Sequence, residues 1–391
     1  MKKLTTRRIL SVLLVAIMIV AAFPGTAAAA SSTKPVAVTL KVDGATVSGA
    51  YKVGSEVLVP AQVLKDNFGA STSYSSSSKK MSVKLTAHSF SFKMGSKSFK
   101  HNGKSKTAGI KAKVVTKKPM IPIKAFMKAI GGSYSLSGKT CTIKYFSALK
   151  GSIKITGSTT VQPIAQSAAS LLRYNNKNLS VAVAGGGSGA GINDTIAGTN
   201  NLGMSSRELT AKEKSSIKAF PIARDAICLI VHPSNKVKNL TKAQAEKIFL
   251  GQITNWKDVG GANAPIVVMS REVGSGTRAT LEELLLEKKS IKKGATNYTS
   301  SKTILNAVAK NKNAIGYDSI GFVDKKVKVV SLGSVKPSAT TVKNGSYLLG
   351  RNLYMLSKGT PKGVSAMFID YLKTPSAQQK IVATEGYIKI K

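Results

Sequence analysis

Between residues 151 and 391 the chain alternates short apolar runs with amphipathic stretches, and three of the junctions are built from glycine, serine and threonine. "GSTTVQP" (157–163) follows an apolar run and opens a stretch that puts Ile164, Ala168, Leu171 and Leu172 on one helical face. "GGGSGAG" (185–191) follows the run at 180–184 and opens a short helix. "REVGSGTR" (271–278) follows the run at 265–269 and opens a long helix through Leu281, Leu284 and Leu285. This strand-then-helix rhythm predicts an α/β fold with substantially parallel pairing.

The junctions share one chemical character. The first turn of a helix carries unpaired N–H groups and the positive end of the helix dipole, so it attracts negative charge. Glycine lets the backbone approach closely, and serine and threonine hydroxyls add donors. One such loop is also what ordinary helix capping requires. Three of them, with Arg271 offering a planar fork of donors beside the third, point to a tetrahedral oxyanion.

Other chemistries fit poorly. No GxxxxGK[ST] run is present, and "GGGSGAG" lacks the later acidic residue that a ribose hydroxyl would need. The serine inside "GGGSGAG" has no histidine placed as its base. The three histidines (His88, His101 and His232) show no metal-ligand spacing. Cys141 and Cys228, the only cysteines, lie on apolar segments of different regions and are expected to be buried free thiols. No enzyme activity, metal or cofactor is expected.

The motifs "GSTTVQPI", "GGGSGAGI", "GMSSREL" (203–209), "ARDAICLIVHP" (223–233), "IFLGQITNWKDVGG" (248–261), "SREVGSGTR" (270–278) and "AIGYDSIGFV" (314–323) occur in this order. Together they resemble the phosphate-binding proteins of the high-affinity phosphate ABC transporter across nearly all of 151–391. The resemblance implies a two-lobed periplasmic-binding-protein-like fold that closes over inorganic phosphate and hands it to the transporter's permease subunits. Position by position, it implies phosphate contacts from Thr159, Thr160, Ser188, Ser206, Arg271, Ser275, Gly276 and Thr277. It places the first two loops on one lobe and the arginine loop on the other. Trp256 is expected to be structural. Several family members have an aspartate, accepting the phosphate's proton, where this chain has Ser206. Asp225 is either a replacement acceptor or the ion-pair partner of Arg207 or Arg224. Sulfate or a phosphate ester is the alternative ligand.

Residues 31–150 read differently. "VLVPAQVLKDNFGASTSYSSSSKKMSVKL" (57–85) aligns with "PMIPIKAFMKAIGGSYSLSGKTCTIKY" (119–145). In each copy a proline (Pro60, Pro122) precedes a short helix and a glycine (Gly69, Gly131) stops it; an alternating strand follows. The halves are too small to fold alone and should share one core. Through the "LVP…GA" and "MIP…GG" halves and "FKMGSKSFKHNG", the region resembles the copper amine oxidase N-terminal domain-like family. The resemblance implies an accessory or attachment role, without copper.

Net charge is +42, of which 31–150 carries +18 from 21 lysines against three acids. Such a field either attracts polyanions, including anionic cell-wall polymers, or simply keeps the surface solvated. Lys2, Lys3, Arg7 and Arg8, an apolar run from Ile9 to Phe23 and small residues to Ala30 predict a signal peptide over 1–30. With no cysteine near that cleavage region, the expected product is a secreted monomer associated with the cell surface or wall and without a lipid anchor. A wall-associated surface protein, using the fold for another oxyanion or polyanion, is the alternative function.

Overall fold

The computed structural model describes residues 34–390, so the signal-peptide reading of 1–30 falls outside the described residues. The N-terminal module runs β1 (Val36–Val42), β2 (Ala45–Val53), β3 (Glu56–Pro60), α1 (Ala61–Phe68), β4 (Ser71–Ser75), β5 (Lys80–Lys84), β6 (Ser89–Lys93), β7 (Ser98–His101), β8 (Lys104–Thr107), β9 (Lys113–Val115), β10 (Lys118–Pro122), α2 (Ile123–Ile130), β11 (Ser133–Ser137) and β12 (Thr140–Lys144). Seven strands form one sheet in the order β11-β12-β1-β2-β3-β10-β9, and β4 to β8 form a separate five-stranded meander.

The repeat is visible in the helices. Pro60 and Pro122 sit at the N-caps of α1 and α2, where a missing N–H costs nothing. Gly69 and Gly131 end them in the left-handed region, at φ 66° and 76°. The following strands diverge: β11 and β12 join the large sheet, whereas β4 and β5 start the meander. Val63, Leu64 and Phe68 of the first half and Phe126, Met127 and Ile143 of the second share one core, as the repeat predicts.

The remainder runs β13 (Gly151–Gly157), α3 (Gln162–Asn175), β14 (Leu179–Gly185), α4 (Gly187–Ala197), β15 (Leu202–Ser205), α5 (Ala211–Ser216), β16 (Lys218–Val231), β17 (Asn239–Leu240), α6 (Lys242–Leu250), β18 (Val267–Arg271), α7 (Gly276–Leu284), β19 (Thr296–Tyr298), α8 (Ser301–Lys310), β20 (Ala314–Ser319), β21 (Lys328–Leu332), α9 (Ala339–Lys343), β22 (Gly350–Ser357) and α10 (Gly363–Leu372). The principal strand order is β14-β13-β15-β22-β16-β20-β18-β19. Each end of this sheet is parallel (β13 with β14 and β15, β18 with β19 and β20), while β16 and β22 run antiparallel to their neighbours at the centre. Parallel pairing thus lies at the flanks and in the short β17–β21 pair attached to β16.

β16 joins two lobes. Its first half pairs with β22 and its last residues with β20 and β21, with a register shift between Pro221 and Ala223. One core gathers Ile155, Ile164, Ala168, Leu172 and Met355; a second gathers Leu229, Phe249, Trp256, Leu281 and Tyr317. Two details of the sequence reading change. Leu171 is partly exposed rather than on the buried face of α3, where Ala165 and Ala169 pack instead. The helix after the arginine loop has only nine residues and ends at Leu284. Cys141 and Cys228 are buried free thiols in separate cores. Trp256 is buried, with its indole N–H donated to the Asn313 carbonyl at 3.0 Å, a structural role.

The module packs directly on the first lobe. Met367 of α10 belongs to the module's core. The Asp370 carboxylate accepts the Thr86 N–H at 2.8 Å, and Phe146 meets Tyr371 edge to face at 5.2 Å. A side chain at Gly69 would strike the Asp370 carbonyl, so this helix-ending glycine also permits the docking. No helix among the described residues is long and apolar enough to cross a membrane.

Candidate anion-binding site

The loops after β13 and β14 are shaped by backbone constraints before any ligand chemistry. Gly157 ends β13 at φ 133°, with Gly191 of α4 against its Cα, so the helix seats directly on the strand. Ser158 Oγ then accepts the Thr160 and Val161 N–H groups, turning the chain into α3. α4 begins at Gly187 without a capping side chain, so its first N–H groups depend on partners outside the helix. On the second lobe, Ser275 caps α7 by accepting the Arg278 N–H.

Residues from the two lobes meet. Gly189 N donates to the Gly274 carbonyl at 2.9 Å. Thr160 and Thr277 hydroxyls lie 3.1 Å apart. Ser188 Oγ accepts the Ser206 N–H at 3.0 Å and lies 3.3 Å from its hydroxyl. A Cβ on Gly276 would collide with both the Ser188 and Ser206 hydroxyls, so the closed contact requires glycine there. Arg271 Nη2 reaches Thr159 Oγ1 at 3.2 Å. The residues singled out from the sequence on the three loops, together with Ser206, thus gather at one seam, with Ser275 beside Gly276 at the start of α7.

Arg271 is 1% exposed and held on every side. Its Nε donates to the Tyr298 carbonyl at 3.0 Å, Nη1 to Ser301 Oγ at 3.3 Å, and Nη2 also to the Thr299 carbonyl and Glu272 Oε1. Its own N–H donates to the Tyr317 hydroxyl, which Ser270 Oγ also contacts. Burial pushes the Tyr317 phenol up to about 12, so it stays a neutral partner. A guanidinium fixed this way is pre-oriented, and the carboxylate bonded to it, that of Glu272, is part-exposed.

Asp225 sits differently from either sequence reading. Its Oδ2 accepts Arg351 Nε at 2.8 Å and Nη2 at 2.7 Å, and its Oδ1 accepts the Ser319 hydroxyl and the Ile320 N–H. Arg207 is instead paired with Glu213 through both terminal guanidinium nitrogens, and Arg224 is not the partner. With both oxygens committed to a buried arginine and two further donors, this carboxylate has no vacancy for a ligand proton. Arg351 Nη1 and Nη2 continue to the Ser206 carbonyl and the Thr277 hydroxyl, so the pair braces the seam from beneath.

Three residues here went unread in the sequence: Arg351, Ser301 and Asp318. Ser301 opens α8 behind the capping serine at 300, and its hydroxyl lies against both Arg271 and Thr160. Asp318, inside the quoted "AIGYDSIGFV", is the one acid on the buried strand β20; it is wholly buried and its Oδ2 has no hydrogen bond. An acid in a largely apolar run was the available signal. His232 contacts Ser234 in an exposed turn, away from these groups. Among the described residues no group of three or more His, Cys, Asp and Glu side chains could hold a metal ion.

Residues 145–375 match the model of the PBP superfamily domain, and residues 41–145 that of the copper amine oxidase N-terminal domain. The phosphate-binding protein PstS of Bacillus subtilis is 34% identical over 246 residues, covering 61% of this chain and 81% of that protein. PstS of Borreliella burgdorferi is 32% identical, covering 61% of this chain and 90% of its own length. Among solved structures, a putative phosphate ABC transporter substrate-binding protein with bound phosphate from Clostridium perfringens is 38% identical, with a TM-score of 0.59, covering 62% of this chain and 100% of that one. An ABC-type phosphate transport receptor from Vibrio cholerae is 34% identical, with a TM-score of 0.53, covering 60% and 99% respectively. A domain match over more than half of the chain, and relatives at least 30% identical across most of their own length, show that the chain belongs to the PBP superfamily, within the family of the PstS phosphate-binding proteins.

Proposed function

We propose that this protein captures inorganic phosphate and delivers it to the permease subunits of an ABC transporter, acting as a binding protein without catalytic turnover. The observation that carries this reading is Arg271. It is a buried guanidinium bonded to Thr159 at the seam that also gathers Thr160, Ser188, Ser206, Ser275, Gly276 and Thr277, the residues that would contact the anion. Neutral donors and one preset charge suit a tetrahedral anion removed from water. Binding at a seam between lobes favours the closed arrangement. Ser206, able to donate as well as accept, favours sulfate as the competing ligand.

The described module at 34–150 supports a second role as an attachment unit. Its charge suits anionic cell-wall polymers, and the whole protein would act as a secreted, surface-associated monomer. Calorimetric titration of the full chain with phosphate, sulfate and arsenate tests the main reading: saturable phosphate binding at one site is expected. No phosphate binding, with wall binding intact, would leave a wall-associated surface protein in its place.

A further inference from the structure

The carboxyl left over beside the seam is Asp318, at the end of β20. Its Oδ1 accepts the N–H of Ser319 at 2.8 Å, while its Oδ2 is buried without a partner. A buried carboxylate oxygen with no hydrogen bond of normal length, and only the Ser301 hydroxyl near its carboxyl, is costly as an anion and far cheaper when it carries a proton. The hydroxyl of Ser301 lies beside the carboxyl, and the same hydroxyl touches Arg271 and Thr160. One serine therefore separates Asp318 from the groups that would hold the anion.

The charges around Asp318 come from several elements. Arg271 on β18 favours the ionised form, whereas Asp225 on β16 opposes it; Asp225 is itself neutralised by Arg351 of β22. Cys228, its register partner on β16, and Tyr387 are both held neutral, mainly by burial. Burial dominates the balance and raises the Asp318 carboxyl to about 7, against the pull of Ser319, Ser301 and Arg271. An anion arriving at Arg271 would cancel much of the one nearby charge that favours ionisation.

We propose that anion capture by this protein is proton-linked, with Asp318 taking up a proton from solvent as the seam closes on a divalent oxyanion. This rests on the oxyanion reading above and adds to it a pH dependence that the hydroxyls and arginines cannot supply. Below neutral pH the carboxyl is already protonated and binding takes up little. Above it, the free protein must gain a proton to bind, so affinity falls as pH rises.

The test is calorimetric titration of the full-length protein and of Asp318→Asn with phosphate from pH 6 to 9, each in two buffers of different ionisation enthalpy. At pH 8 to 9 the wild type is expected to take up close to ~1 proton per anion more than Asp318→Asn, and to lose up to ~10-fold more affinity per pH unit. Equal proton counts and parallel pH profiles in the two proteins would overturn the linkage while leaving phosphate capture standing. Absence of phosphate binding by the wild type at every pH would overturn both. If Asp318→Asn does not fold, bound-minus-free infrared difference spectra of the wild type at pH 8 to 9 decide. A gained protonated-carboxyl band supports the proposal, and its absence refutes it.

Discussion

The seam between the lobes and the outer face of the β4–β8 meander present positive charge in opposite ways. At the seam, Arg271 and Arg351 are buried, and each has several named partners. On the meander, alternation sends Met81, Val83, Phe90, Phe92 and Phe99 inward and leaves serines and lysines outside. There Lys80 lies directly across from Lys93, a like-charge pairing that weakens a sheet. The first region spends its charge on geometry and the second on field. A ligand at the seam should be selected by shape and hydrogen bonding, and a partner on the meander by charge alone.

The largest effect should come from splitting the buried pair. Asp225→Asn leaves Arg351 buried and uncompensated, at a cost of about 3–5 kcal/mol. Chemical denaturation should show the midpoint moved well down. Replacing Lys80 or Lys93 by serine should leave it nearly unchanged or slightly raised. An unaltered midpoint for Asp225→Asn would mean the seam tolerates charge as the meander does, and the contrast would fail.

Arg271→Ala comes next. Losing charge-assisted hydrogen bonds to a bound anion, at roughly 1.5–3 kcal/mol each, should weaken phosphate binding by about 100-fold or more. Titration of the purified variant measures it. Serine at Lys80, Lys93 and Lys100 together should change the same affinity less than about twofold, because exposed charges are screened over such distances.

How much of this was legible in the sequence follows the same division. The three loops could be read because glycine, serine and threonine at a strand-to-helix junction are local signals, and Arg271 stands inside one of them. The helices of the repeat were legible from Pro60, Gly69, Pro122 and Gly131, each of which acts on its own backbone. Arg351, Ser301 and Asp318 act only through partners that β16, β18, β20 and β22 bring together, and no local spacing encodes that. Asp225 shows the limit most clearly. Its type and motif are plain in the sequence, yet its partner lies 126 residues away, and that partner decides its role. Gly69 is legible as a helix stop, and its second task, admitting the Asp370 carbonyl, belongs to docking between regions.

Salt separates the two regions at a smaller scale. Sedimentation of the full protein with purified cell walls should fall about tenfold between 50 and 200 mM salt if a few exposed lysines carry it. Phosphate affinity measured over the same range should move far less, since a buried guanidinium is poorly screened. Equal salt slopes would mean that both anions are read by the surface field, and the seam's geometry would lose its selective role.

The smallest effect concerns a pair that belongs to neither extreme. Arg207 and Glu213 make two contacts, at 2.8 and 2.7 Å, while remaining partly open to solvent. Hydrogen bonding from Arg207 is the main cause that lowers the Glu213 carboxyl to about 2. A carboxyl lowered in the folded state stabilises the fold above its unfolded value near 4.5, and that contribution disappears as pH falls from there towards 2. Solvent screening limits the gain to at most about 1 kcal/mol. Glu213→Gln should therefore lower the denaturation midpoint slightly at pH 7 and not at all near pH 2. A loss at pH 7 as large as that of Asp225→Asn would show that two aligned contacts matter more than burial, and the distinction between the regions would then rest on geometry alone.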